Sequence, residues 1–444
     1  MGRKVFISAL GATDYGECDY KKDGESYGKV RFIQEATLNY LTSKESWCGE
    51  DCAILLITKG AETANWIDNG HFDKKSGIKK NQEGLQSRLL KFPIKQNPIK
   101  NLPDGNNEEE IWDIFVRTFN EIKEGDELYF DMTHGYRYIP MLILVLSNYA
   151  KFLKKITVKS LTYGNYEISE RGAKPGLIID LLPLSALQDW TSAADQYLTT
   201  GSVDKLRSLY LPIIESKLKD SFGKDETAQK MRGFIIHLDS VIKDRLTCQG
   251  REIIKSDALC KVLEDLENLQ DVPMPEPFKP LLDEFSKSIR NFDKSENIKN
   301  GLQAAKWCFK NGLYQQCVTL LQETIVCYIC ESANIDWTNL KNRDSVNFAF
   351  AIVCRHIPEN KWELKGESDK EKDDNKQLIK DLIKNNLLLL IKNEYSVLSE
   401  IRNQYNHAGM LCNVKFRASS MIDKINIIVA KISDKLEYYV DKSN

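Results

Sequence analysis

The chain has no long apolar run. Its densest in the C-terminal half, Leu387 to Ile391, is five residues, against the ~20 needed to cross a bilayer. Met1-Gly2-Arg3-Lys4 passes straight into the strand-like Val5-Phe6-Ile7, without the longer apolar stretch and small-residue cleavage site of a secretory signal. We therefore expect a soluble, cytoplasmic protein with no membrane contact. An excess of either charge is also missing: 62 Lys plus Arg stand against 64 Asp plus Glu, a net charge of −2 over 444 residues. With no basic field over the whole chain, any nucleic-acid contact must be local or made at a groove between subunits. The eleven Cys are an odd number spread through apparent helices, and fit reduced buried thiols better than a disulfide framework. Cys327-x-x-Cys330 has no second Cys pair or His at finger spacing, so no structural metal is expected. The first strand is not followed by G-x-G-x-x-G, which argues against NAD or FAD, and Lys59-Gly60 sits in no Walker loop. Internal repeats and low-complexity tails are absent too.

The N-terminal half alternates strands and helices. Val5 to Leu10 predicts a buried parallel strand ending at Gly11-Ala12-Thr13, small residues that let a backbone turn closely under a ligand. A helix is expected from about Lys29 to Leu41, then the strand Ala53 to Ile57 with a polar stop at Thr58-Lys59-Gly60. Ile111 to Ile122 predicts an amphipathic helix with three Glu in its first turn. Glu127 to Phe130 is a strand leading into Asp131-Met132-Thr133-His134-Gly135-Tyr136-Arg137, followed by an apolar helix from Tyr138 to Phe152. Ile156 to Leu161 and Leu177 to Leu182 add a strand and a terminal hairpin. This order indicates a doubly wound α/β sheet, in which the loops at Gly11, Thr58 and Thr133 gather in one crevice past the strand C-termini. Thr133, His134, Gly135 and Arg137 suit an anionic ligand: a hydroxyl, two cationic donors and a Gly that lets backbone N–H groups approach. Asp131 and Thr133 could equally cap the next helix, which would leave Arg137 unexplained.

From Leu184 the chain turns helical. Ala186 to Leu198, Val203 to Leu218, Thr227 to Leu246 and Ile253 to Leu269 carry apolar residues at three- and four-residue spacing. Four prolines in the eight residues Pro273 to Pro280 break the pattern and mark a linker there or just after, with a boundary near Asn291 as the alternative. Asn300 to Asn311 and Leu313 to Ala333 pair across Asn311-Gly312. Glu363 to Lys376 is dense in charge and is expected to be a solvated loop, before a helix from about Gln377 to Ile401 and a last one, Met421 to Val440, that closes an antiparallel bundle.

At the end of that penultimate helix, Arg402-Asn403-Gln404-Tyr405-Asn406-His407 puts a guanidinium, an amide and an imidazole within six residues. These are the groups that phosphodiester cleavage needs without a metal: a planar fork of donors for a phosphate, and a group that titrates near neutral pH. A solvated helix end would carry the same letters. At ~100° per residue, positions five apart lie ~140° around a helix. Either the helix bends there or two copies meet, bringing paired Arg402 and His407 into one cleft.

Taken together, Ile7 to Gly11, Asp131 to Arg137, Gly312-Leu313-Tyr314-Gln315-Gln316-Cys317 and Arg402 to His407 give a chain that resembles the CRISPR-associated ribonucleases of type III systems. These join an N-terminal CARF domain, a Rossmann-like sensor, to a C-terminal HEPN domain. The resemblance implies α/β plus all-α architecture: residues 1–183 as the CARF sensor, 184–290 as a helical linker domain and 291–444 as the HEPN domain. It implies a cyclic oligoadenylate activator, four adenylates being the commoner ring. The loops Gly11-Ala12-Thr13, Thr58-Lys59 and Thr133-His134-Gly135-Tyr136-Arg137 would surround it. Arg402 and His407, with Asn403 beside them, would cut single-stranded RNA without a metal, leaving 2′,3′-cyclic phosphate ends and sparing DNA. A homodimer or higher even oligomer follows from the shared cleft. Two other outputs stay open: a sensor that only recruits a partner, and ring-nuclease action on the activator by Thr133 or His134.

Overall fold

Successive side chains of β1 (Lys4–Leu10) feed two different cores, Val5, Ile7 and Ala9 entering one and Phe6 and Leu10 the other. That is the burial a central parallel strand requires. In the computed structural model, which describes residues 2–169, 173–272, 276–362, 364, 366–410 and 415–443, β1 lies between β4 (Cys52–Thr58) and β6 (Glu127–Asp131), parallel to both. The other strands are β2 (Cys18–Lys22), β3 (Glu25–Val30), β5 (Lys95–Leu102), β7 (Thr157–Asn165) and β8 (Gly176–Asp180). The eight form one sheet in the order β3-β2-β8-β7-β6-β1-β4-β5. β7, β6, β1, β4 and β5 run parallel, β8 is antiparallel to β7, and β2 pairs parallel with β8 and antiparallel with β3.

Helices cover both faces. Leu38 and Leu41 of α1 (Ile33–Lys44) pack with Phe6 and Leu10 on one side. The short α2 (Lys59–Ala61) and α3 (Leu85–Leu89) add Ala61, Leu85 and Leu89 to the same core. On the other side α4 (Glu108–Glu121) and α5 (Ile139–Lys154) bring Ile114, Phe115, Leu142, Ile143 and Leu146 onto β1 and β6. The expected doubly wound sheet is therefore present. From β1 the chain builds outward through β4 and β5 on one side, then through β6 and β7 on the other. The gap between β1 and β6 is the point where the winding reverses, and a ligand crevice opens there past the strand ends.

Two elements of this unit differ from expectation. Instead of a helix from Lys29, residues 18–30 form the β2–β3 hairpin, turning at Asp23 and Gly24, both with positive φ (52° and 84°). Asp-Gly is the residue pair that such a turn favours. β5 was not anticipated because it is largely polar and contains Pro98; at the edge of the sheet a missing N–H costs no ladder bond.

The helical remainder comprises α6 (Leu182–Thr200), α7 (Asp204–Asp220), α8 (Glu226–Leu246), α9 (Gly250–Lys255), α10 (Asp257–Gln270), α11 (Lys279–Ile289), α12 (Lys299–Lys310), α13 (Tyr314–Ser332), α14 (Leu340–Arg355), α15 (Asp369–Leu382), α16 (Asn386–Asn406) and α17 (Ala418–Ser443). Backbone contacts divide the chain into Met1–Gln188 and Asp189–Asn444, a boundary inside α6. One core, from Trp190 to Leu436, runs through the second unit, so residues 189–290 and 291–444 pack as one body. α13 lies at its centre: nearly every side chain from Cys317 to Cys330 is buried, as befits a helix apolar on all sides. The helix expected over Ile253–Leu269 is broken at Ser256, which takes φ 67°. The charge-dense stretch is α15 over most of its length rather than a loop, with Ser368 capping Glu371; Glu363 and Lys365 lie outside the described residues, as do Pro273, Met274 and Pro275 of the linker. Among the described residues no helix is long and apolar enough to cross a membrane.

Candidate functional site

Past the C-terminal ends of β1, β4, β6 and β7 opens a cavity of about 590 Å³, within the usual range of small-molecule sites. Gly11, Ala12, Thr13, Thr58, Thr133, His134, Gly135 and Tyr136 all line it. Lys59 and Arg137 are exposed and are not part of its wall. Thr58 turns its hydroxyl to the N–H of Ala61 (3.3 Å), capping α2. Sequence reasoning missed Asp14, Tyr15, Tyr20, Arg31, Tyr138, Tyr163, Tyr166 and Glu167, which also line it. Six of the wall residues are tyrosines: 15, 20, 136, 138, 163 and 166. Such rings offer flat faces for nucleobases and hydroxyls for phosphates.

The floor is a chain of buried hydrogen bonds. Asp131 is fully buried and accepts from Ser8 Oγ (2.8 Å) on one oxygen, and from the N–H (3.2 Å) and hydroxyl of Thr133 on the other. Burial raises its carboxyl above the ordinary carboxylate range, against the hydrogen bonds from Thr133 and Ser8. Gln34 donates to Ser8 Oγ (3.1 Å) and to the Ala9 carbonyl (3.0 Å), and Thr133 Oγ1 accepts from the Gly164 N–H (2.7 Å). The ends of β1, β6 and β7 are thereby tied together. Neither Asp131 nor Thr133 caps α5, whose N-cap is Tyr138 without a side-chain bond. The Thr133 hydroxyl is committed on both sides, which leaves it a structural group.

The loop after β1 is held from outside. Buried Asn65 donates to the carbonyls of Gly11 (2.9 Å) and Thr13 (2.8 Å), while its own oxygen accepts from Arg31 Nη2 (2.7 Å). Arg31 stands 3.8 Å from Asp14, which also pairs with Lys80 (2.5 Å). The Arg31 Nε is buried without a partner among the described residues, and burial lowers the basicity of this guanidinium despite Asp14. Within the loop, Tyr15 stacks on His134 with centroids 4.2 Å apart. Burial pushes the His134 pKa down to about 4, so at neutral pH the ring is uncharged and offers one donor and one acceptor rather than two donors. Two glycines are required here. A Cβ on Gly11 would lie 2.3 Å from the Tyr15 hydroxyl, and Gly135 has φ +106° with Ala9 Cβ 3.0 Å from where its own would be.

In the second unit α16 stays helical to Asn406, and His407 leaves it as the C-cap (φ −96°, ψ 11°). Ala408 and Gly409 follow with positive φ. Arg402 is half-buried and its Nη1 donates to Glu323 Oε1 on α13 at 2.7 Å, whereas Asn403 and His407 are exposed. No hydrogen bond joins Arg402 to His407 among the described residues. α16 runs unbroken to Asn406, so Arg402 lies within the helix and His407 at its end.

Residues 5–167 match the family described as "CRISPR system endoribonuclease Csx1, CARF domain". That stretch is thus similar to a Csx1-type CARF domain. A CRISPR-associated protein of Methanocaldococcus jannaschii is 27% identical over 383 residues, covering 77% of this chain and 56% of that protein. The chain thus spans about half the length of the curated relative it matches. Among solved structures, Enterococcus italicus Csm6 bound to cyclic hexa-2′-fluoro-hexa-dAMP aligns over 97% of this chain and 93% of that one, at 12% identity and a TM-score of 0.41. The matched stretch holds the whole tyrosine-lined cavity.

Proposed function

We propose that this chain is a sensor and effector in one: its CARF cavity binds a cyclic oligoadenylate, and the helical unit, as a HEPN domain, then cuts single-stranded RNA at Arg402, Asn403 and His407. The observation that carries the reading is the cavity itself, placed at the winding reversal of a CARF domain and walled by six tyrosines. Adenine faces stack on such rings, and the neutral His134 imidazole can pair with a base edge through both nitrogens. Four adenylates, the commoner ring among the proteins this chain resembles, make cyclic tetra-adenylate the first ligand to try.

The cleavage chemistry follows from the groups present. The RNA 2′-hydroxyl attacks the adjacent phosphorus while the bond from phosphorus to the 5′-oxygen breaks. His407 of one copy takes the 2′ proton, and an imidazolium returns a proton to the leaving oxygen. Arg402 carries the charge that builds on the phosphoryl oxygens, and Asn403 orients either partner. The products are a 2′,3′-cyclic phosphate and a 5′-hydroxyl; no step calls on a metal, and DNA lacks the attacking group. One copy supplies a single His407, so the active form is a homodimer or a higher even oligomer. α4 and α5 leave Trp112, Val116, Met141, Val145, Tyr149 and Phe152 exposed, an apolar face suited to a second copy.

A receptor without nuclease output is the competing reading, favoured by the ion pair that occupies Arg402. Both are tested by titrating the full chain with cyclic tetra- and hexa-adenylate in a calorimeter, then analysing the ends of RNA incubated with it in EDTA. Binding with cyclic-phosphate ends supports the proposal; binding with intact RNA supports the receptor.

A further inference from the structure

We propose that Glu323, backed by Arg343, is a positioning residue that aims the Arg402 guanidinium at the RNA phosphate, an inference that rests on the nuclease reading above. Glu323 lies on α13, 79 residues before Arg402, and belongs to no sequence motif. Its two oxygens do different things. Oε1 accepts from Arg402 Nη1 at 2.7 Å, and Oε2 accepts from Arg343 Nη2 at 2.5 Å. Arg343, on α14, is itself fixed: Nη1 donates to the Trp337 carbonyl (2.9 Å) and Cys327 Sγ (3.1 Å), and Nη2 reaches the Glu323 carbonyl (3.3 Å). The carboxylate is therefore held by a cation that is bound to backbone, and cannot swing with Arg402.

Charge accounting separates this arrangement from a simple neutralising pair. Two guanidiniums share one carboxylate, leaving a net positive charge beside the motif. Burial would raise the Glu323 carboxyl, but the hydrogen bonds and charges of Arg343 and Arg402 outweigh it and hold it below its ordinary value. It stays ionised at neutral pH. Among the hydrogen bonds of the described residues Arg402 spends only Nη1, so Nη2 and Nε remain for a phosphate, the geometry in which a guanidinium fork is most selective. The neighbouring layer fixes the register of the three helices. Gln322 donates to the Tyr395 hydroxyl (3.2 Å) and Ser399 Oγ (3.3 Å), Tyr395 donates to Asn347 Oδ1 (2.5 Å), and its ring stacks on Phe350 at 3.7 Å. α13, α14 and α16 are thus pinned at one level, one turn from Arg402.

A latch that masks Arg402 until activation would put the opposite sign on the same variants. The test uses the full chain with saturating cyclic oligoadenylate and labelled single-stranded RNA. Glu323→Gln and Arg343→Gln should each lower kcat on the order of ten- to a hundredfold, as a displacement of about 1 Å does, with KM within about twofold. Glu323→Asp, which keeps the charge, should recover part of the rate. In Arg402→Ala, added guanidinium should restore cleavage, and fail to do so when Glu323→Gln is also present, a dependence that a merely structural role would not produce. Wild-type rates in Glu323→Gln, rescue that ignores Glu323, or cleavage by Glu323→Gln without activator would overturn the proposal while leaving the nuclease reading intact. Undiminished cleavage by Arg402→Ala would overturn both.

Discussion

Protonating His134 should loosen the N-terminal unit, and the size of the effect follows from where the ring sits. It is stacked on Tyr15 and largely buried, with a pKa of about 4 against 6.5 for an ordinary imidazole. Between those two values the unfolded chain binds a proton that the folded chain refuses. Stability is therefore complete above about pH 6.5, falls as pH drops, and stops falling below about pH 4. The full difference is worth at most about 3 kcal/mol; allowing for the solvent the ring meets in the cavity leaves about 2 kcal/mol. Substituting Phe keeps a ring against Tyr15 and removes the titration. Urea unfolding of wild type and His134→Phe near pH 7 and near pH 4.5 isolates this group, because every other titration cancels in the difference. The wild type should lose about 2 kcal/mol relative to the variant on acidification. Parallel pH profiles, or an imidazole NMR titration centred near pH 6.5, would refute the burial argument.

Other substitutions separate backbone, stacking and assembly. Gly135→Ala forces an L side chain into φ +106° with Ala9 in the way, and should cost roughly 1–3 kcal/mol in unfolding experiments while abolishing oligoadenylate binding. Tyr15→Ala removes one stacking face, and calorimetry should show affinity weakened by roughly 1–3 kcal/mol, the worth of one base on an aromatic ring. Charges placed on the exposed face of α5, Val145→Glu with Phe152→Glu, should yield monomers in sedimentation and silence cleavage with the fold intact. A monomer that cleaves at full rate would contradict the two-copy site.

How far the sequence carried this picture depended on whether the information was local. β1, β4, β6 and β7 were legible because buried parallel strands are short continuous apolar runs, and the loops after them had to converge once the winding was recognised. The β2–β3 hairpin was missed although Asp23-Gly24 announces it, because the apolar spacing from Phe32 onward was extended back over Lys29. Arg31, between that hairpin and α1, was lost with it. Tyr15 and Tyr166 carry no motif; they become wall residues only when loops 150 positions apart close on one crevice. The same holds for Glu323, whose meaning comes from a partner on another helix. Ser256 shows the limit from the other side: periodicity runs through it, yet its left-handed backbone ends one helix and begins the next.

The most direct test of the whole account is cleavage of labelled single-stranded RNA in EDTA against a panel of cyclic oligoadenylates, with wild type, Arg402→Ala and His407→Ala side by side. We predict cleavage only with a ring of the right size, 2′,3′-cyclic phosphate ends, and rates lowered on the order of 10²–10³ in Arg402→Ala while the ring still binds. RNA left intact by the wild type with every ring, or cut equally well by both variants, would contradict it.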